Sequence, residues 1–126
     1  MQKQLKSVET FHIAFEEENG VAPQLVDKLT FELRHRLMQE ENEEYLEACK
    51  NDNVVEIADA LGDQLYILCG TILKHGLQYK IEEVFDEIQR SNMSKLGEDG
   101  KPIRREDNKI LKGPGYSKPD IHKILG

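Results

Sequence analysis

Glu56-Ile57-Ala58-Asp59-Ala60-Leu61-Gly62-Asp63-Gln64-Leu65-Tyr66-Ile67-Leu68-Cys69-Gly70-Thr71-Ile72 decides the fold class. Its large apolar residues Ile57, Leu61, Leu65, Leu68 and Ile72 recur every three or four positions, which places them on one stripe of an α-helix. At about 100° per residue, Asp59, Asp63 and Tyr66 fall on the opposite side. Asn51-Asp52-Asn53 breaks the chain ahead of this stretch and offers an N-cap, and Gly76 stops it after His75.

Outward from that helix the same period holds. A helix over residues 27–50 precedes it. A first helix is expected over residues 7–18, with Val8, Phe11 and Phe15 on one face; Asn19-Gly20 ends it and Pro23 lies in the linker. A fourth helix is expected over residues 80–95. After Leu96 the chain turns to glycine, proline and charge, with Pro102, Gly113-Pro114-Gly115 and Pro119, so the rest reads as irregular, ending in a helical turn at residues 120–125. No β-type alternation persists and no repeat is present. The expectation is a single all-α domain over residues 1–126, a four-helix bundle with its helical core at about 7–96 and an irregular basic tail at 97–126. The apolar stripe of the third helix is expected to form the core. Its acid-bearing face, with Tyr66 and Gly70, is expected to meet a neighbouring subunit in a homodimer or a dimer of dimers.

Charge is distributed unevenly. Residues 1–88 carry 8 Lys/Arg against 19 Asp/Glu, a net of −11, whereas residues 89–126 carry 9 against 5, a net of +4. An overall charge of −7 argues against general nucleic-acid binding. The basic tail remains a candidate clamp for a small anionic substrate. Cys49 and Cys69 lack CxxC spacing and read as core thiols of a reduced, cytoplasmic protein, and no apolar run is long enough for a membrane span.

Within the acidic body two clusters stand without cations: Glu40-Glu41-Asn42-Glu43-Glu44 between Arg36 and Lys50, and Glu56 to Asp63 between Lys50 and Lys74. A solvated helix face mixes signs, because like charges at helical spacing repel. Stacked carboxylates without counter-ions point instead to a bound hard cation, Mg²⁺ above all, which shares its sphere with substrate phosphates. Carboxylates three or four apart point the same way, so Glu41 and Glu44 form one half of a site, and Asp59 and Asp63 the other half from the facing helix. Glu43 and Glu47 lie further round and face solvent.

The ordered set of motifs, EExxE, then the acidic helix ending Gly62-Asp63-Gln64-Leu65-Tyr66, then Ser91-Asn92-Met93-Ser94-Lys95-Leu96, resembles the all-α nucleoside triphosphate pyrophosphohydrolases. That superfamily takes in MazG-like, dimeric dUTPase-like and phosphoribosyl-ATP pyrophosphohydrolase-like proteins. The resemblance covers about residues 8–96, and a tail like Asp107-Asn108-Lys109-Ile110-Leu111-Lys112-Gly113-Pro114 recurs in one small branch. It implies a Mg²⁺-dependent hydrolase, with Mn²⁺ as an alternative ion. Such an enzyme cleaves a nucleotide between its α- and β-phosphates to a monophosphate and pyrophosphate, as in nucleotide-pool house-cleaning. Glu41 and Glu44 match the family's ExxE ligands, with Glu40 or Glu41 to accept a proton from water. For the family's ExxD pair two alternatives stand. Asp63 aligned before Gln-Leu-Tyr leaves Ala60 in the Glu position, with Asp59 as a stand-in; the literal ExxD is Glu56 and Asp59. Glu56 also sits where a capping box places its acid. Asn92 and Lys95, three apart, are candidates for the leaving pyrophosphate, followed by Lys109, Lys112 and Tyr116.

Two other classes compete. A carboxylate di-iron bundle would use Glu-x-x-His pairs, here Glu9/His12 and Glu32/His35. However, Glu32 lies about 180° and His35 about 120° from Glu41 around the helix, so neither shares its ion. A non-enzymatic helical dimerisation module accounts for the amphipathicity but not for the missing cations or the basic tail.

Overall fold

The computed structural model describes residues 1–126 and bears out the all-α class. Its elements are α1 (Gln2–Ala14), α2 (Lys28–Lys50), α3 (Val54–Lys74), α4 (Ile81–Met93), a hairpin of β1 (Ile103–Arg104) and β2 (Ile110–Leu111), and α5 (Ile121–Leu125). No helix is long and apolar enough to cross a membrane. The chain divides into two compact units, Met1–Tyr79 and Lys80–Gly126.

In the first unit α2 and α3 form an antiparallel pair. Asp27 caps α2 by accepting from the Thr30 amide at 2.8 Å, and Asn53 caps α3 by accepting from the Glu56 amide at 3.1 Å. Between the helices Asp52 takes a positive φ of 50°, a conformation that Asp tolerates better than most residues. The pairing then runs in opposite directions along the two helices: Arg34 Nε donates to Thr71 Oγ1 at 3.1 Å and Arg34 Nη2 to the Ile67 carbonyl at 3.0 Å, while Asn42 faces Gln64 further along. Near the α2–α3 turn the small residues Ala48 and Ala60 are both buried. That register sets the acids of α2 opposite the acids of α3.

The C-terminus of α3 is closed by the loop after α1. The Gly20 amide donates to the Leu73 carbonyl at 2.8 Å, the Gln24 amide to the His75 carbonyl at 2.9 Å, and Gln24 Nε2 to the Lys74 carbonyl at 3.0 Å. Carbonyls that a helix end leaves without partners are satisfied there. Gly76 makes the closure possible. Its φ is +65°, and a Cβ on it would run into the Ala22 carbonyl.

Several expectations are corrected. α1 starts at Gln2 and ends at Ala14 instead of spanning residues 7–18. The Ser7 hydroxyl donates to the Lys3 carbonyl within the helix at 3.1 Å, and Leu5, Val8 and His12 form the buried face. Phe11 and Phe15 stay largely exposed, stacked on each other at 4.4 Å, and Phe11 meets Tyr66 edge-on at 5.7 Å. His12, a member of the Glu9/His12 pair, is 3% exposed and joined through Nδ1 to Asn19 Oδ1 at 2.6 Å. The larger correction concerns α3. Of its apolar stripe only Ile72 is buried; Leu61, Leu65 and Leu68 are 47%, 43% and 44% exposed. Gly70, on the face expected to meet a neighbour, is instead buried beneath Arg34 and His12. Helical phase identifies a stripe but not which neighbour covers it.

In the second unit the segment expected to be irregular contains the short hairpin, in register Ile103↔Leu111 and Arg104↔Ile110. Two-residue strands are too short to show alternation. The final turn is present as α5, capped by Asp120 accepting from the Lys123 amide at 3.1 Å.

Candidate functional site

Glu41, Glu44 and Asp63 converge, with ligand oxygens that all lie within 4.8 Å of one another. The first two come from successive turns of one face of α2, and the third from α3 across the helix pair. Glu41 is half-buried and its Oε2 is buried with no hydrogen-bond partner. Its carboxyl is pushed up to about 7, by burial first, then by the hydrogen bond to Glu44 and the charges of Glu44, Asp63 and Asp59.

Asp59 acts on Glu41 through its charge, one turn before Asp63. It also lines, with Glu44, Glu47 and Glu56, a depression of about 300 Å³ whose walls are all acidic. Glu44 belongs to both groups, so the two alternatives for the second carboxylate pair adjoin on one acidic surface. Glu56 serves α3's cap through its backbone amide, and its carboxylate is left to line the depression. Glu40 is exposed. Glu43 is exposed as expected; Glu47 is exposed too but joins the depression, a contribution the α2 spacing did not single out.

The basic candidates lie in the second unit. Asn92 is exposed on the last turn of α4, and its carbonyl accepts from the Lys95 amide at 3.1 Å. The Lys95 carbonyl accepts in turn from the Gly113 amide at 2.8 Å, which brings the strand-following loop against the end of α4. Only glycine fits there, since a Cβ on Gly113 would meet the Lys95 and Leu96 carbonyls. Lys112 lies with Nζ 4.7 Å from the centroid of the Tyr116 ring. Lys95, Lys112 and Tyr116 are thus held by one small loop arrangement. Lys109 is apart from them, at the hairpin turn, where its amide donates to Asp107 Oδ1 at 3.1 Å.

Sequence reading passed over Glu87 and Arg90. They form an ion pair at 2.7 Å, and the Arg90 guanidinium, with the Asp120 amide, holds the Glu87 carboxyl down at about 2. The i, i+3 spacing of opposite charges was the available signal. Arg34 was also missed: burial lowers its pKa, and no sequence pattern marks it.

The family model described as phosphoribosyl-ATP pyrophosphohydrolase matches residues 8–92, a span that includes Glu40, Glu41, Glu44, Glu56, Asp59 and Asp63. Among solved structures the chain is similar to a candidate NTP pyrophosphohydrolase from Exiguobacterium sp. 255-15, at 23% identity over 94% of this chain and 90% of that one, with a TM-score of 0.49. No curated protein matches the chain.

Proposed function

Because the chain belongs to the phosphoribosyl-ATP pyrophosphohydrolase family, and is thus a hydrolase of the nucleotide pyrophosphohydrolase kind, we propose that it cleaves nucleoside triphosphates between the α- and β-phosphates with Mg²⁺. The products are a nucleoside monophosphate and pyrophosphate, and the role is clearance of unwanted nucleotides. The observation that supports this most is Glu41. A buried carboxylate oxygen without a partner, facing two further acids, is unfavourable as it stands. An oxygen-only donor set of this kind fits a hard divalent ion, Mg²⁺ or Mn²⁺. Glu41, Glu44 and Asp63 would hold the ion, with Asp59 and Glu56 at its margin.

Bound there, the ion supplies charge screening of the phosphates and acidification of a water molecule. The chain supplies the rest. Glu40 or Glu41 takes the proton of the attacking water. Asn92, Lys95, Lys112 and Tyr116 are the groups we assign to the leaving pyrophosphate, with Lys109 as an outer cation. A panel of nucleotides, phosphoribosyl-ATP among them, incubated with Mg²⁺ should release pyrophosphate and the monophosphate, and release none in chelator. Release of orthophosphate instead, or turnover without metal, would overturn this reading.

We also assign the exposed stripe Leu61, Leu65 and Leu68 to contact with a second copy of the chain. Three leucines in a row on one helix, each more than 40% exposed, make an apolar surface that water disfavours. Light scattering should give a dimer or a dimer of dimers at micromolar concentration, and Leu61→Glu should shift it to monomer. A clean wild-type monomer would exclude the assembly.

A further inference from the structure

The hydrogen bonds that fasten residues 117–120 to α4 run through three side chains, Glu87, Arg90 and Ser94. Arg90 Nε lies 3.0 Å from both Glu87 oxygens and Nη2 lies 2.7 Å from Oε1, a two-pronged grip. The same Nη2 reaches the Ser117 carbonyl at 3.4 Å and the Lys118 carbonyl at 3.2 Å. Ser94 Oγ accepts from the Ser117 amide at 3.0 Å, and Glu87 Oε1 accepts from the Asp120 amide at 3.1 Å. Glu87 and Arg90 lie three apart on α4 and Ser94 caps its C-terminus, so one end of the helix grips the segment.

Just before the gripped segment lies Lys112-Gly113-Pro114-Gly115-Tyr116. Its other end is tied by the Gly113 amide to the Lys95 carbonyl. The loop that carries Lys112 and Tyr116 is therefore pinned on both sides, with a proline inside it. We propose that Arg90 is a positioning residue: oriented by Glu87, it fixes residues 117 and 118 so that Lys112 and Tyr116 stand beside Lys95 as a preformed anion-receiving loop. The inference rests on the assignment of those three residues to the leaving pyrophosphate.

Stability alone does not account for the arrangement. An exposed i, i+3 ion pair contributes little to folding, and the Arg90 side chain is 46% exposed. Its additional bonds to two tail carbonyls do something a helix pair does not need. They remove the conformational freedom that a loose glycine-rich loop would lose each time an anion arrived. Arginine suits the position because its planar fork satisfies a carboxylate and a carbonyl together, which one lysine ammonium does not.

The test uses the full-length protein and inorganic pyrophosphate as the probe, followed by calorimetry, with amide hydrogen exchange read at Ser117 and Asp120. Arg90→Ala should speed exchange at those two amides while leaving the melting temperature nearly unchanged. It should weaken pyrophosphate binding and raise the nucleotide KM by about tenfold, equivalent to about 1.4 kcal/mol, with kcat within about twofold. Arg90→Lys should not restore the affinity. Glu87→Gln, which keeps the side-chain shape, should show the same pattern more weakly and serves if Arg90→Ala does not fold. Lys112→Ala is the control that separates the two claims. If it weakens pyrophosphate binding while Arg90→Ala, with its tail amides released, does not, the positioning role is overturned and the tail assignment stands. If Lys112→Ala has no effect, the assignment falls and this inference falls with it.

Discussion

Glu41 and Glu87 are the same side chain, each on one face of a helix, and they are displaced in opposite directions. Glu41 is pushed up to about 7 by burial and by its acidic neighbours, and one of its oxygens has no partner. Glu87 is held down at about 2 by Arg90 and the Asp120 amide, and both of its oxygens are occupied. The protein thus contains one acid whose needs are met within the chain and one whose needs are left open. The first fastens a segment. The second has the character of a site prepared for something the chain does not supply.

The largest effect that would sharpen this contrast is on catalysis. Glu41→Gln and Asp63→Asn should each lower pyrophosphate release on the order of 10²-fold or more, as loss of a metal ligand or proton acceptor does. Glu43→Gln, on the same helix but the wrong face, should keep wild-type rates. Equal losses from Glu43 and Glu41 would break the shared-face argument.

A smaller effect should appear in metal-dependent stability. At free Mg²⁺ a hundredfold above its Kd, binding to the folded state adds about 2.7 kcal/mol to wild type. Glu41→Gln should lose most of that gain, yet melt at or above wild type in chelator because one repelling charge is gone. Glu87→Gln should retain the full Mg²⁺ gain. Calorimetric melts with and without metal measure both. A Glu87 variant that lost the gain would erase the distinction between the two acids.

The two shifts also differ in their pH windows. Glu41 is raised above its ordinary 4.5, so its contribution is fully present below that value and is lost as pH rises through about 7. Glu87 is depressed, so its contribution is present above 4.5 and is lost as pH falls through about 2. Metal-free wild type should therefore lose melting temperature from about pH 5 to about pH 8. Glu41→Gln should flatten that slope, and Glu87→Gln should leave it unchanged. A slope indifferent to Glu41 would mean that neither burial nor its acidic neighbours raise its carboxyl.

The smallest effect concerns Lys95. Lys95 is half-buried just past a helix end, where a cation contributes on the order of 1 kcal/mol of stability. Lys95→Ala should accordingly shift melting little while raising KM several-fold. Unaltered kinetics would return Lys95 to the role of a surface charge.

Much of the site's arrangement was legible in the residue order. Glu41 and Glu44 are three apart on a helix, and helical geometry alone aligns their side chains. Asn53 announces its cap, and Gly76 its stop. The alternatives for the second carboxylate pair were not separable by spacing, because Glu56, Asp59 and Asp63 lie on successive turns and each has a plausible phase. Only the α2–α3 register, with Arg34 on Thr71 and small buried alanines, brings Asp63 to Glu41 and Glu44 and sets Asp59 and Glu56 in the adjoining depression.

By itself, then, the sequence determined what depends on neighbours a few residues away: helical periods, caps, stops, the acidic body and the basic tail. The tertiary structure alone decided which stripe is covered. It left Leu61, Leu65 and Leu68 open, buried Gly70 beneath Arg34 and His12, and brought Gly113 to Lys95 and Ser117 to Ser94. Local geometry repeats with the helical turn and can be read along the chain, but burial and long-range hydrogen bonds depend on which segments meet, and no local period encodes that.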